Sequence, residues 1–394
     1  MRGMGNQPSR DAKRRNCPGG KPTKREPRNL LLRVKRRSSL PLAGVLAVGV
    51  AVGQATHRSE LPAPLDPPHP GAATDGPYAP LALLPGGVVI PLYPPGSPLL
   101  HEQRAREPER YSMSQAVPGR IENVVNIHVP SIEVHTVEGS MNTGSTVILI
   151  AGGGHRTLNT APEAADFVSF FANYGVNTVI LRNRLRSDGY NVATDAVGDA
   201  EQAIRLTRAY ATEFRLDPKK IGVMGFSAGG ELASAAAVLY PEVGTAPKDI
   251  GQAVRGVSAR PDFVALVYPG PTPFASDRKP PAIPRDMPPS FIVCGGSGDQ
   301  LHAVWADEYL AAMLAKSVPN VEMHIYANGR HPGDLLSDGS HMTGGLSDRN
   351  GTPFGTWQIR FIDWFRDLGF LQMPGVPTKA QKDLAAYEAG NTSP

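Results

Sequence analysis

The chain has 394 residues, of which 41% are hydrophobic, enough for one large folded domain with appendages. Its net charge of +4 is unevenly distributed, because residues 1–37 contain 13 Lys or Arg against two acidic residues. That segment's net +11 leaves a net −7 for the remainder. Nucleic-acid-binding domains present a basic face, so the balance argues against a nucleic-acid partner.

Residues 1–55 have the composition of a bacterial export signal. Arg36 and Arg37 precede a weakly apolar, Gly- and Ala-rich run at 41–55 that ends in small residues before Thr56. The paired arginines favour the Tat route, which predicts a periplasmic or secreted protein. The run is too short and too glycine-rich to span a bilayer stably. A basic tail, an uncleaved anchor or a start site further along the chain are the alternatives.

The rest of the chain divides by composition into three segments. Twelve prolines lie between positions 61 and 100, and residues 56–85 are predicted to form an extended linker. Residues 86–372 are predicted to form the folded domain, and residues 373–394 a loose C-terminal tail. With Cys17 in the leader, Cys294 would be alone in the mature chain, which excludes an intrachain disulfide. No metal-binding motif is present, and we expect no metal.

The folded segment alternates strand and helix patterns. In chain order, two edge strands are predicted at 121–128 and 132–137, followed by strands at 146–151, 177–182, 221–226, 263–268, 289–295 and 321–327. Helices are predicted at 162–174, 196–214, directly after Ser227, at 303–316 and at 356–367. This alternation predicts an α/β fold with a mostly parallel central sheet and helices on both faces. Catalytic residues are then expected in loops at the carboxyl ends of the strands.

Three glycines, 152–154, directly follow the buried strand at 146–151. No Lys-Ser/Thr pair follows, which excludes a P-loop, and the run does not continue as a dinucleotide-binding G-x-G-x-x-G. We therefore expect no nucleotide or other cofactor. Glycine N–H groups without side chains can approach a substrate oxygen closely, and such groups stabilise oxyanions.

The segment 221–230, IGVMGFSAGG, has the pattern of a nucleophile elbow. An apolar strand runs into G-x-S-x-G and a helical pattern follows, so a tight turn would lift the hydroxyl of Ser227 above the sheet. The N–H of Ala228, together with those of Gly152 and Gly153, would form the oxyanion hole. A glycine-rich turn carrying an unreactive serine is the alternative interpretation.

A reactive serine requires a base and an acid, and both follow in the order typical of this fold. Asp299 follows the strand at 289–295, and His331 follows the strand at 321–327, in a loop next to a glycine. His341, in the polar segment 337–352, is the main alternative base. His324 lies within a strand pattern, and His302 is too close to Asp299 in sequence for the usual arrangement.

These motifs resemble the acetylxylan-esterase and carbohydrate-esterase-like group of α/β-hydrolases, related to feruloyl and hormone-sensitive-lipase-like esterases. The resemblance covers about 88–371. Its motifs here are AGGGH at 151–155, DAEQAIR at 199–205, DPKKIGVMGFSAGGELA at 217–233 and GRH at 329–331. It implies Ser227 as nucleophile, Asp299 as acid and His331 as base, with Gly152, Gly153 and Ala228 at the oxyanion hole. His155, Asn183 and Glu231 depart from the group's usual residues.

Together these features predict an exported serine esterase that uses an acyl-enzyme mechanism. The resemblance and the export signal imply a short acyl ester as the substrate, with acetyl on xylan or a related polysaccharide as the expected case. A generic short-chain carboxylesterase or lipase and a serine peptidase are the alternative enzymes. A haloalkane dehalogenase would need Asp where Ser227 stands. A non-catalytic binding protein would have a broken triad, whereas all three positions are filled.

Overall fold

The computed structural model describes residues 77–114, 117–241, 251, 254–327, 329–332 and 356–390. The described residues belong to one compact unit. Ten strands are seen in them: β1 (Val88–Pro91), β2 (Arg110–Met113), β3 (Ile121–Val125), β4 (Ser131–His135), β5 (Thr146–Ile150), β6 (Asn177–Arg182), β7 (Ile221–Phe226), β8 (Val264–Val267), β9 (Ser290–Gly295) and β10 (Val321–Tyr326).

Eight of these strands form one sheet in the order β1-β4-β6-β5-β7-β8-β9-β10. The β1–β4 and β4–β6 pairs are antiparallel, and all the others are parallel. The middle strands are buried along their whole length, as expected for parallel strands covered on both faces. Parallel pairing brings the carboxyl ends of β5, β7, β9 and β10 to the same edge of the sheet.

The described residues form six α-helices: α1 (Asp166–Ala172), α2 (Val197–Ala209), α3 (Ala228–Leu239), α4 (Gln300–Ala315), α5 (Trp357–Asp367) and α6 (Lys379–Glu388). One layer joins α1 to α5, where the rings of Phe167 and Trp357 lie 5.8 Å apart. In the other layer α2 packs against α3. The chain thus has the α/β-hydrolase fold that its strand and helix patterns predict. No helix among these six is long and apolar enough to cross a membrane.

The strands predicted at 121–128 and 132–137 both form, as β3 and β4, but the prediction that they are edge strands of the main sheet is wrong for both. β4 pairs with β1 on one side and β6 on the other, so it leaves no free edge in the main sheet. β3 instead pairs with β2 in a separate two-stranded sheet. It ends at Val125, because the φ of 60° at the next residue, Asn126, lies in the left-handed region and breaks the extended chain.

The linker prediction for 56–85 is wrong for its last nine residues, because the described chain packs from Pro77 onward. The N–H groups of Leu83 and Leu84 donate to the buried carboxylate of Glu133 at 2.7 and 3.0 Å. Leu83 is itself buried. The folded domain therefore begins before residue 86. The part of the linker at 56–76 lies outside the described residues.

The prediction of a loose tail at 373–394 is also wrong for the segment that forms α6. Thr378 caps this helix, accepting from the Gln381 N–H at 3.1 Å, while the Gln381 side chain accepts from the Thr378 N–H at 2.8 Å. This capping box satisfies two backbone donors that a helix start otherwise leaves unpaired. Ala380 is buried, and the Tyr387 hydroxyl donates to the Lys316 carbonyl, so the helix is attached to the domain.

Candidate active site

Ser227 occupies a strained turn between β7 and α3. Its φ of 50° and ψ of −118° place a non-glycine residue in a sparsely populated backbone region. A Cβ at Gly225 would overlap the carbonyl of Gly229, and one at Gly229 would overlap the carbonyl of Ile150 in β5. Only glycines allow strand and helix to meet this closely, and the close approach holds Ser227 at the turn.

Ser227, His331 and Asp299 form a continuous hydrogen-bonded chain. Ser227 Oγ lies 2.9 Å from His331 Nε2, and His331 Nδ1 lies 2.9 Å from Asp299 Oδ2. Because the carboxylate accepts from Nδ1–H, Nε2 is left free to accept the serine proton. The structure thus brings together the three residues that the sequence nominated for the triad.

Close contact between two loops brings the acid and the base together. Asp299 follows β9 at the start of α4, and His331 follows the neighbouring strand β10. Gly295 at the end of β9 and Gly298 on the loop after it face the Gly329 carbonyl so closely that a Cβ at either would overlap it. Arg330 also forms a parallel bridge with Gly298. Small residues at this crossing therefore set the distance between Asp299 and His331.

Asp299 also binds a second histidine that the sequence analysis set aside. His302 Nδ1 lies 2.5 Å from Asp299 Oδ1, and its ring stacks on that of His331, with centroids 3.7 Å apart and planes 10° apart. Burial raises the pKa of Asp299, but the hydrogen bonds from His302 and His331 outweigh it and leave the pKa below its ordinary value. The carboxylate is therefore held in its charged form.

Asp299, His302 and His331 place their ligand atoms within 4.8 Å of one another, which raises the question of a metal ion. The nitrogen lone pairs lie in the ring planes, and the two planes are nearly parallel. The Nδ1 atoms therefore point side by side, whereas a tetrahedral metal needs them to converge. The arrangement suits two N–H donors that share one carboxylate.

The three predicted oxyanion donors differ in their surroundings. The Gly152 N–H donates to the buried Glu163 Oε2 at 2.7 Å, so it is directed at a side chain instead of the substrate position. Gly153 has a φ of 127°, which favours glycine, and its N–H has no acceptor among the described residues. Ala228 opens α3, where the helix supplies no acceptor for its N–H. Gly153 and Ala228 are therefore the available donors.

Glu163 is a site residue that the sequence analysis missed. It lies in a π-helical turn, Ala161–Ala165, directly before α1 and is 1% exposed. Its two carboxylate oxygens accept from the Gly152 N–H and, at 3.1 Å, from the Tyr268 hydroxyl. Burial raises the pKa of Glu163 to about 7, although the Gly152 N–H and Tyr268 hydrogen bonds lower it in part. A glutamate within an otherwise apolar helix pattern is the sequence feature that could have indicated a buried functional carboxylate.

Two of the departures from the usual family residues contact each other. His155, next to the glycine loop, places Nε2 2.9 Å from Glu231 Oε2 on α3. Arg278, in the proline-rich insert after β8, donates to Glu231 Oε1 at 2.7 Å. Burial raises the pKa of Glu231, but the hydrogen bonds from His155 and Arg278 outweigh it and lower the pKa. One carboxylate therefore links three segments around the site.

The remaining candidates lie elsewhere. His324 bonds to Glu322 within β10. Cys294 is a buried free thiol whose pKa burial raises to about 12, so it stays protonated. His341 lies outside the described residues.

The fold and the hydrogen-bonded chain at its strand ends define a class, the α/β-hydrolases with a Ser-His-Asp arrangement. A family model described as BD-FAE matches residues 132–258, a segment that contains Ser227 and ends before Asp299. An acetylxylan esterase of Xylanibacter ruminicola is 28% identical over 127 residues, 32% of this chain and 23% of that protein. Endo-1,4-beta-xylanase B of Butyrivibrio fibrisolvens is 30% identical over 124 residues, 31% of this chain and 19% of its own length.

Among solved structures, an acetyl ester-xyloside bifunctional hydrolase from Caldicellulosiruptor lactoaceticus is similar in fold. It is 24% identical with a TM-score of 0.54, and the match covers 74% of this chain and 99% of that one. The chain matches less than a quarter of the length of the two curated relatives. These matches support the resemblance, inferred from the sequence motifs, to the acetylxylan-esterase and carbohydrate-esterase-like group.

Proposed function

We propose that this chain is a serine ester hydrolase. The observation that carries the proposal is the hydrogen-bonded chain Ser227–His331–Asp299, with two distances of 2.9 Å, at the carboxyl edge of a parallel sheet. The backbone strain at Ser227 supports it, because strained residues that their surroundings hold in place cluster at functional sites.

The geometry supports an acyl-enzyme mechanism in which His331 moves one proton. Nε2 takes the proton of Ser227 Oγ as Oγ attacks the ester carbonyl carbon, and Asp299 stabilises the imidazolium that forms. The N–H groups of Gly153 and Ala228 stabilise the oxyanion. The imidazolium then protonates the departing alcohol. Water attacks the acyl group with His331 again as base, which releases the acid and restores the Ser227 hydroxyl.

We propose short acyl esters, acetyl in particular, on xylan or a related polysaccharide as the substrate. The support is the resemblance to an acetylxylan esterase and to a xylanase-named protein, together with the fold of an acetyl ester-xyloside hydrolase. The glycines of the 152–154 loop and the small residues that open α3 place no bulky side chain at these positions beside Ser227.

A substrate panel tests both the chemistry and the acyl length. Wild-type protein should hydrolyse p-nitrophenyl acetate, with kcat/KM flat or falling toward the octanoyl ester, and should release acetate from acetylated xylan. Ser227→Ala should fold normally and lose activity by roughly 10³-fold or more. Near-normal hydrolysis by Ser227→Ala would overturn the mechanism. A clear rise toward octanoyl would favour a lipase, and no acetate release from xylan would remove the polysaccharide.

A further inference from the structure

A wide groove lies beside the triad and has no role in the proton-transfer chemistry. Its volume is about 710 Å³, within the range of roughly 300–1,000 Å³ usual for ligand sites. Its walls are His155 after the glycine loop, one side of α3 along its length, the segment between β6 and the start of α2, and the proline-rich insert after β8. The charged groups lining it are His155, Arg186, Glu231, Arg278 and Lys279.

Three walls of the groove are joined directly to Ser227. Glu231 is one helical turn beyond the serine, and its N–H donates to the Ser227 carbonyl at 3.2 Å. Gly270, directly before the lining residue Pro271, donates to the same carbonyl at 2.7 Å. His155 follows the glycine loop, where a Cβ at Gly152 would lie 2.8 Å from the Ser227 Cβ. The end of the groove at His155 and Glu231 therefore lies beside Ser227.

The lining of the groove is cationic in a domain that is otherwise net acidic. Arg186, Arg278 and Lys279 face a single carboxylate, Glu231, which Arg278 and His155 already satisfy. Among the described residues, neither Arg186 nor Lys279 forms an ion pair with a carboxylate, and Arg186 donates to the Gly154 carbonyl at 3.3 Å. Outside residues 1–37 the chain has a net charge of −7, so the positively charged lining of the groove is opposite in sign to the rest of that part of the chain.

The nearby acidic side chains on the loop after β6 are directed elsewhere. Asp188 Oδ2 accepts from the Ile127 N–H at 3.2 Å, and Asp195 Oδ2 accepts from the Asn191 N–H at 2.8 Å. Asp195 also lies 3.5 Å from Arg184. Neither residue lines the groove, so neither offsets Arg186 and Lys279 there.

We propose that the groove binds a carboxylate carried by the alcohol part of the ester, as in an acetylated uronic-acid unit of a polysaccharide. The inference rests on the proposed function: a two-carbon acyl group needs far less room than about 710 Å³, which leaves the groove to the alcohol. A carboxylate there would meet the guanidinium of Arg186 and the ammonium of Lys279, and charge-assisted hydrogen bonds of this kind are the stronger ones.

Two substrates that differ only at the charged group test the proposal. The two substrates are the methyl glycosides of glucose and of glucuronic acid, acetylated at the same hydroxyl. The first carries a neutral hydroxymethyl group where the second carries a free carboxylate. The rate of acetate release gives kcat/KM for each. We expect a preference of about fivefold or more for the glucuronide at low ionic strength, since partly exposed ion pairs contribute up to about 1 kcal/mol each. The preference should shrink in 0.5 M NaCl, because salt screens exposed charges.

Charge reversal identifies the residue responsible. Lys279→Glu should lower the glucuronide-to-glucoside ratio by roughly tenfold. Lys382→Glu is the matched control, because it reverses the charge of an exposed lysine on α6. The neighbouring Gln381 donates to the Lys219 carbonyl before β7, which places α6 at the opposite end of that strand from Ser227. The control should keep the wild-type ratio.

The outcomes separate this inference from the esterase proposal. Equal rates on the two sugars, or an unchanged ratio in Lys279→Glu, would overturn the carboxylate site while leaving the esterase intact. If p-nitrophenyl acetate is also not hydrolysed, the proposed function itself fails, and the inference fails with it.

Discussion

His331 is held on several sides, and these contacts set the direction of its reactive nitrogen. Asp299 fixes Nδ1, the His302 ring stacks on one face, and the Tyr268 ring meets it edge-on with centroids 5.2 Å apart. A ring held in this way keeps Nε2 directed at Ser227 without reorganisation during the reaction. Such preorganisation is a main source of catalytic rate.

Replacement of the two competing histidines tests the base assignment. His331→Ala should reduce kcat/KM for p-nitrophenyl acetate about as much as Ser227→Ala, roughly 10³-fold or more, since members of a triad act as a unit. His341→Ala should have a much smaller effect. An inactive His341→Ala protein alongside an active His331→Ala protein would show that the triad assignment is wrong.

Glu163 makes stability depend on pH in a defined direction. Burial raises the pKa of Glu163 from 4.5 to about 7, so the folded state retains a proton that the unfolded state has already released in this interval. Its contribution to the free energy of unfolding therefore falls as pH rises from about 4.5 to about 7, by roughly 3 kcal/mol in total.

Urea unfolding of wild type and Glu163→Gln at pH 5 and pH 8 measures this effect. The amide does not titrate, so the variant should lose less stability between the two pH values, while other groups contribute equally to both proteins. The same pH response in both proteins would mean that Glu163 titrates normally in the folded state.

Among the elements, the junction of β5, β7 and α3 is the most tightly packed part of the site. Gly229→Ala would force a Cβ into the Ile150 carbonyl of the neighbouring strand, a backbone atom that cannot move aside. We expect a loss of about 3 kcal/mol or more in the free energy of unfolding. Gly198→Ala in α2 is the control, because its nearest neighbour, the Tyr93 hydroxyl, lies 3.9 Å away.

In the control variant, alanine should leave stability unchanged or raise it by up to about 1 kcal/mol, since alanine favours helix over glycine. Chemical denaturation of the two variants beside wild type provides the comparison. Equal stability of Gly229→Ala and wild type would show that the elbow can relax more than its contacts imply.

Local motifs predicted the elbow and the alternation of strands and helices along the chain, because both depend on residues adjacent in sequence. The glycines beside Ser227 and the apolar strand before it suffice to predict a strand-turn-helix unit. Asp299 and His331 could be nominated from their positions after successive strands. The capping box of α6 is also local, but its Thr378 and Gln381 fall in the segment predicted to be a loose tail.

Contacts between distant loops could not be predicted in the same way. The stacking of His302 on His331 depends on two loops meeting through Gly295, Gly298 and Gly329, which no local pattern encodes. Likewise, His155 and Glu231 were noted only as separate departures from the family's usual residues. They are 76 positions apart, and only the fold reveals them as partners.

At the scale of the whole molecule, charge separates the chain into a basic leader and an acidic remainder. Residues 1–37 carry a net +11, and the described packing begins near Pro77 with the Leu83 and Leu84 hydrogen bonds to Glu133. Removal of residues 1–55 would therefore leave these contacts intact. A cleavable leader is compatible with the fold because the described core makes its N-terminal contacts beyond the proposed cleavage point.

We propose that the leader directs export by the Tat route and is removed near Thr56. The basis is the Arg36-Arg37 pair followed by a weakly apolar run at 41–55. Native protein should be found outside the cytoplasm with an N-terminus close to Thr56, as determined by cell fractionation and N-terminal sequencing. Replacement of both arginines by lysine should retain the protein in the cytoplasm, because the positive charge alone does not specify this route.

Protein that lacks residues 1–55 should keep wild-type stability and activity, which separates loss of export from loss of folding. A cytosolic enzyme that retains residues 1–37 would show that the leader is not an export signal.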